Sequence, residues 1–119
     1  MTMPMRMIRE IPLSLFSLSL VKVLILSKNS IREIPPQITY LERLEHFDLN
    51  GNQLVYLPSE MLTLKRLQVL DISNNCFTSF PEVILLLDSL RDLYIYNNKI
   101  EDVPIGMGIP FQFFFFFFL

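Results

Sequence analysis

The sequence contains few of the residues that build most catalytic and metal centres. Its 119 residues include one cysteine, one histidine, three glycines and no tryptophan. Cys76 has no second cysteine with which to form an internal disulfide, and with His46 it makes too small a set for a metal site of the usual kind or a Cys/His nucleophile. Gly51, Gly106 and Gly108 are too few for a Gly-rich phosphate loop. We therefore predict that the protein is not an enzyme and binds no metal or cofactor.

Charge of one sign and long apolar runs are also scarce. Ten basic and twelve acidic residues give a net charge of −2, and the basic residues are too scattered to follow a nucleic-acid backbone. An apolar fraction of 51% with 18% charged residues excludes disorder for most of the chain. The apolar stretch 11–26 is interrupted by Lys22, and the stretch 105–119 is shorter than the ~20 residues that cross a bilayer. We expect neither nucleic acid nor a membrane as a partner.

Asparagine recurs in steps of 23 residues, each time after the same apolar frame. The recurring residues are Asn29, Asn52, Asn75 and Asn98. In the second copy the frame LxxLxLxxNxLxxLPxxLxxL is filled by Leu44, Phe47, Leu49, Asn52, Leu54, Leu57, Pro58, Met61 and Leu64. The frame divides the chain into a partial repeat at 1–20, four repeats at 21–43, 44–66, 67–89 and 90–109, and a non-repeat tail at 110–119. A period of about 20 to 29 residues is typical of leucine-rich repeats, which stack into a curved solenoid.

The spacing within each copy predicts two kinds of local structure. Alternation in LxxLxL predicts a short strand with its leucines inward, and successive strands are expected to lie parallel, ~4.8 Å apart. The second half changes to spacings of three and four, which predict one or two helical or 3-10 turns. These turns should begin near Pro35, Pro58, Pro81 and Pro104, because proline fixes φ. The predicted fold class is α/β, a leucine-rich-repeat solenoid with a curved parallel sheet on its concave face and short helical, 3-10 or extended return segments on its convex face.

The recurring asparagines are predicted to be structural. Where the chain leaves each strand, inward-pointing backbone groups lose their partners in the sheet, and a side-chain amide supplies both donors and an acceptor for them. We therefore expect four stacked amides that are buried and already paired, and not a polar ligand site. Replacement of Asn52 or Asn75 by leucine is expected to cost about 1 to 3 kcal/mol.

Both ends depart from the repeat pattern. Residues 8–12 repeat the IREIP of residues 31–35, but the preceding MTMPMR supplies neither leucines nor asparagine, which predicts that the first strand is missing. The tail carries six consecutive phenylalanines at 113–118. Such a run could fold over the last repeat as a lid, or it could pair between chains and aggregate, because it is aromatic, uncharged and β-prone. These features predict a fragment or truncated isoform of a longer array.

Function is expected on the concave sheet, at the strand positions that the apolar frame leaves free. Asp48 and Asp71 are predicted to lie at the same height on neighbouring strands, where their charges repel by roughly 1 kcal/mol in water. Nothing in the fold itself is expected to require this pair, so we infer a cationic partner that relieves the repulsion. Tyrosines are enriched at interface hot spots. The alternative is that all of these are ordinary solvated strand residues. The predicted contacts for a basic segment of another protein are His46, Asp48, Asp71, Asp92, Tyr94 and Tyr96.

The phrases LEHFDLNGNQLVYLP, LQVLDISNNCFTSFP and LRDLYIYNNKIEDVP resemble cytoplasmic leucine-rich-repeat proteins of the Ras-pathway scaffold and plant intracellular Ras-group-related type. The resemblance implies protein binding through the concave face, as in a signalling scaffold. Cysteine-rich caps, which flank the repeats of secreted members, are absent, so we expect a cytoplasmic or nuclear protein. Two alternatives stay open. The repeats could be the recognition arm of a larger enzyme or ubiquitin ligase, or the chain could be a truncated product without function.

Overall fold

A computed structural model describes residues 1–3 and 8–101 of the chain. Short strands alternate with single 3-10 turns along the whole described sequence. Each strand has three residues and each turn has five. In chain order the elements are η1 (Leu13–Ser17), β1 (Val23–Ile25), η2 (Pro36–Tyr40), β2 (His46–Asp48), η3 (Ser59–Thr63), β3 (Val69–Asp71), η4 (Glu82–Leu86) and β4 (Asp92–Tyr94).

The four strands form one parallel sheet in the order β1-β2-β3-β4. Its register places the central residue of each strand beside that of the next, and these four residues are 0% exposed. They are Leu24, Phe47, Leu70 and Leu93. The flanking strand residues lie on the other face and are exposed or half-buried. This alternation, with the return turns behind the sheet, confirms the predicted solenoid.

Proline stands immediately before each described return turn, and Pro12 does so before η1 with φ of −60°. Pro35, Pro58 and Pro81 stand immediately before η2, η3 and η4, with φ of −71°, −73° and −72°. Each proline carbonyl accepts a hydrogen bond from the backbone N–H three residues later, at 3.0 to 3.1 Å. The turns are therefore 3-10, and their single buried residues are Ile38, Met61 and Ile84. Pro104 lies outside the described residues.

No strand precedes β1 in the described residues, but residues 1–3 still pair with it. Thr2 forms a parallel bridge with Ile25, and the N–H of Met3 donates to the Ile25 carbonyl at 2.9 Å. Met3 also packs against the core as a partly buried side chain. Residues 1–3 therefore continue the sheet at the repeat spacing without a leucine, because backbone hydrogen bonds alone are enough to add a short edge segment.

No helix in residues 1–3 and 8–101 has the length and apolar character that crossing a membrane requires. The phenylalanine tail, with its predicted lid or aggregation behaviour, lies outside the described residues.

Candidate protein-binding face

Alternate residues of the four strands form rows across the concave face. The first, here called the His row, contains Val23, His46, Val69 and Asp92. The second, the Asp row, contains Ile25, Asp48, Asp71 and Tyr94. Backbone hydrogen bonds continue the parallel ladder past the strand ends, from the N–H of Gly51 to the Ser73 carbonyl and from the N–H of Asn74 to the Tyr96 carbonyl, both at 3.0 Å. This adds a third row, the Ser row, which contains Ser27, Asn50, Ser73 and Tyr96.

All the predicted contact residues lie in these three rows. Asp48 and Asp71 are direct neighbours on β2 and β3, and Tyr94 is the next residue in the same row. Asp92 is exposed, whereas the other five predicted residues are half-buried. The rows thus place carboxylates and aromatic rings side by side, as the repeat register predicted. Their contact with a partner stays a prediction.

The expectation that nothing in the fold requires the aspartate pair is wrong. Asp48 Oδ1 accepts the backbone N–H of Asn50 at 2.9 Å, and Asp71 Oδ1 accepts that of Ser73 at 3.0 Å. The Asn50 amide also donates to both oxygens of Asp71, at 3.4 and 3.3 Å. Each carboxylate therefore shapes the turn after its own strand, a local side-chain role that aspartate commonly plays. The carboxylates of Asp48 and Asp71 therefore shape these turns and also place negative charge on the concave face.

The recurring asparagines join each repeat to the one before it. Asn52 Oδ1 accepts the N–H of Ile31 at 3.0 Å, and its amide donates to the carbonyls of Leu26 and Leu49 at 3.1 and 2.9 Å. Asn75 and Asn98 repeat this arrangement one and two repeats later. Asn29, Asn52 and Asn75 are 6 to 7% exposed, and Asn98 is half-buried.

A second chain of amides, which our sequence analysis did not anticipate, runs beside the Ser row. Asn97 donates to Asn74 Oδ1, and Asn74 donates to Asn50 Oδ1 at 3.1 Å. Asn74 and Asn97 have φ of +55° and +54°, and Gly51 has φ of +74°. Asparagine and glycine adopt this left-handed region most readily, and Lys28, at the equivalent position of the first repeat, adopts it as well with φ of +59°. The doubled motifs NGN, SNN and YNN were the available signal for these turns.

Ser73 is the most unusual residue of the concave face. Its side chain is 0% exposed, and its hydroxyl oxygen has no hydrogen-bond partner in the described part of the chain. Serine is small enough to be covered by its neighbours in the Ser row. A buried hydroxyl without a partner is costly, because it has lost its hydration.

Comparisons with known proteins agree with this geometry. A family model described as leucine rich repeat matches residues 42–100. The structure is similar to a leucine-rich-repeat protein of Leptospira interrogans, with 31% identity and a TM-score of 0.74. It is also similar to the BIR3–SERK2 complex of Arabidopsis thaliana, with 33% identity and a TM-score of 0.69. The leucine-rich-repeat ectodomain of the Arabidopsis thaliana receptor kinase SOBIR1 is 28% identical, with a TM-score of 0.71. This chain belongs to the leucine-rich-repeat superfamily.

The three similar structures are longer than this leucine-rich-repeat chain. They match 78%, 82% and 92% of its residues, which correspond to 24%, 54% and 60% of their own lengths. A comparison with curated protein sequences gives no match. Leucine-rich-repeat domains generally bind other proteins on their extended concave surfaces, and one of the similar structures is itself a complex between two proteins.

Cys76 and a groove beside the sheet were the other candidates for a chemical site in the leucine-rich repeats. Cys76 is free and half-buried, and the described residues contain no group of three or more side chains suited to a metal ion. A groove of about 470 Å³ lies near the starts of β3 and β4. It is lined by side chains of both charge signs, among them Glu45, Lys65, Arg66 and Asp88, so its charge selects no single class of ligand.

Proposed function

We propose that this leucine-rich-repeat chain is a protein-interaction module whose concave face binds a basic segment of a partner protein. The observation that carries the proposal is the Asp row, in which two carboxylates and a tyrosine are direct neighbours across three strands. Asp92 and His46 extend the surface into the His row, and Tyr96 extends it into the Ser row. Together they offer negative charge next to large, rigid amphipathic side chains.

Charge complementarity favours a cationic partner over an acidic or purely apolar one. Asp48, Asp71 and Asp92 face the same side of the sheet, and the described hydrogen-bond partners of Asp48 and Asp71 are neutral groups. Like charges on adjacent strands repel, and a cation bound between them removes that repulsion. Rings of Tyr94 and Tyr96 supply contact area at low cost in conformational entropy. A basic segment that also carries apolar residues fits this surface.

We further propose that the module acts inside the cell as part of a signalling scaffold. The unpaired thiol of Cys76 suits a reducing compartment. Imaging of a tagged full-length chain together with fractionation tests the location. Recovery from the secreted fraction contradicts this part of the proposal and leaves the concave-face proposal standing.

The binding proposal is tested with labelled dodecamer peptides of basic, acidic and neutral composition, using fluorescence anisotropy at physiological salt. The change is the double substitution Asp48→Asn with Asp71→Asn, which removes both charges but keeps an Oδ1 acceptor for the turn N–H groups. We expect the wild type to prefer the basic peptide and the double variant to bind it about tenfold more weakly.

The matched control is Glu60→Gln with Glu82→Gln, which removes two charges from the return turns η3 and η4. Because these residues lie on the opposite side of the sheet, basic-peptide affinity should be nearly unchanged. Equal losses in the control and the Asp48/Asp71 double variant would show a non-specific effect of net charge and would contradict the proposed face.

A further inference from the structure

Asp48, Asp71 and Ser73 form a cluster whose hydrogen-bonding capacity is only partly used. Two carboxylates offer about eight lone-pair positions, and four of these are engaged by the described hydrogen bonds. Ser73, two residues after Asp71 on the same side of the chain, adds a buried hydroxyl without a partner in residues 1–3 and 8–101. The two carboxylates therefore keep acceptor capacity for a ligand with several donors.

The number and arrangement of free acceptors favour one basic side chain over the other. A guanidinium has five N–H donors in a planar fork, whereas an ammonium has three and is more strongly hydrated. Adjacent parallel strands are ~4.8 Å apart, so a guanidinium between Asp48 and Asp71 presents donors to both carboxylates. We propose that Asp48 and Asp71 form a subsite for an arginine side chain of the partner protein, with the buried Ser73 hydroxyl as the alternative partner of the Asn50 amide.

Asn50 gives this subsite a means of accepting the arginine. Its amide is held to Asp71 by two long hydrogen bonds of 3.3 and 3.4 Å, and Asn50 neighbours Ser73 in the Ser row. When a guanidinium takes the Asp71 oxygens, the displaced amide turns to the Ser73 hydroxyl and gives it a partner. Charge-assisted bonds and a paired hydroxyl thereby replace two weak contacts and one unpaired group, and the Asn50 Oδ1 that accepts from Asn74 reorients with the amide.

This inference rests on the proposed function, because it names the residue that the basic segment places at its centre. The probes are labelled hexa-arginine and hexalysine peptides, which carry the same charge. At physiological salt we expect the arginine peptide to bind at least about threefold more tightly. The backbone N–H groups of Asn50 and Ser73 donate to the two carboxylates, so their amide NMR signals should shift during the titration. Equal affinities, or shifts confined to other residues, overturn the subsite.

Ser73→Ala provides a readout that a purely structural role does not move. Removal of an unpaired buried hydroxyl should raise the melting temperature of the free protein. The same change should weaken arginine-peptide binding by about twofold or more, because the Asn50 amide loses its alternative partner. A more stable variant with unchanged affinity contradicts the exchange. Asp48→Asn and Asp71→Asn should each abolish the preference for arginine over lysine, and Glu82→Gln should preserve it.

Failure of the subsite is distinguishable from failure of the proposed function. If both peptides bind equally and Asp92→Asn and Tyr96→Ala weaken them equally, a basic partner on the concave face stands and the arginine subsite is wrong. If neither peptide binds, both the subsite and the basic-partner proposal are wrong.

Discussion

Asn75 is only 6% exposed, and it makes four described hydrogen bonds to backbone groups of two repeats. Its Oδ1 accepts the N–H of Leu54, and its amide donates to the carbonyls of Leu49, Ile72 and Ser73 at 3.0 Å each. Only an amide side chain of this length offers donors and an acceptor together. A carboxylate has no donor for the three carbonyls, and leucine satisfies none of the four groups.

Asn75→Leu is expected to lower the free energy of unfolding by about 1 to 3 kcal/mol, because several buried backbone groups lose their partner at once. Urea denaturation followed by circular dichroism measures the change. Asn98→Leu is the matched control in the last repeat. Asn98 is half-buried, so water replaces part of its hydrogen bonding and the loss should be clearly smaller. Equal losses at the two positions would contradict a role that depends on burial.

At the residue scale the sequence predicted the inner asparagines but not the work of Asp48 and Asp71. The asparagines were visible because four identical residues recur at one spacing. The sequence predicts the aspartates only as charged surface residues, whereas each of them also accepts the N–H of the residue two positions later. Such side-chain to backbone bonds depend on the turn geometry, and the motifs DLN and DIS do not distinguish that role from ligand binding.

At the element scale, the return segments of neighbouring repeats are also joined by side chains. The hydroxyl of Tyr56 donates to Glu33 Oε2 at 3.3 Å, across one repeat. Partial burial of Tyr56 raises its pKa, and the negative charge of Glu33 and the hydrogen bond to it act in the same direction. The protonated tyrosine is therefore the form that the folded state favours.

The raised pKa of Tyr56 predicts how stability depends on alkaline pH. A group with a raised folded pKa contributes fully below its unfolded pKa, about 10 for tyrosine, and this contribution is lost as pH rises through the folded pKa. When pH rises from neutral to above about 10, the melting temperature of the wild type should therefore fall by more than that of Tyr56→Phe. The difference should be small, since Tyr56 is 48% exposed and solvent screens the interaction.

Glu33→Gln is the control for the Tyr56 prediction. It removes the neighbouring charge, so the pKa of Tyr56 should fall towards its ordinary value. Ultraviolet difference titration of tyrosinate, with Tyr56→Phe as the reference, measures this directly. An unchanged Tyr56 titration in Glu33→Gln would show that Glu33 does not contribute to the raised pKa, which would then come from burial and the charge of Glu60.

The elements themselves followed from spacing, with one exception. Alternation placed the strands, and Pro35, Pro58 and Pro81 marked the starts of η2, η3 and η4. Residues 1–3 were missed because their pairing with β1 depends on backbone groups, which every sequence carries. The leucine pattern predicts the residues of the core, but it does not predict an edge segment that contributes mainly backbone hydrogen bonds.

At the scale of the whole molecule, each repeat contacts its sequence neighbours, and the core is one continuous cluster from Ile11 to Ile95. The stability of such a stack is approximately a sum of repeat terms and nearest-neighbour interface terms. Damage in the middle therefore weakens two interfaces, whereas damage near the first turn weakens one. Position along the stack should matter as much as the size of the side chain removed.

Leu70→Ala and Ile11→Ala test this dependence on position. Leu70, on β3, is 0% exposed and should cost about 3 to 5 kcal/mol when truncated, because both flanking interfaces are disturbed. Ile11, before η1, is 4% exposed, and its truncation should cost less than half as much.

Chemical denaturation measures both losses of stability, and hydrogen exchange resolved by residue shows where in the chain they fall. In Leu70→Ala the amides of Leu49 and Ile72, which bridge to Asp71 and Tyr94, should lose protection together. In Ile11→Ala they should keep it. Equal loss of protection throughout the chain in both variants would mean that the repeats fold as one indivisible unit, and the nearest-neighbour description would be wrong.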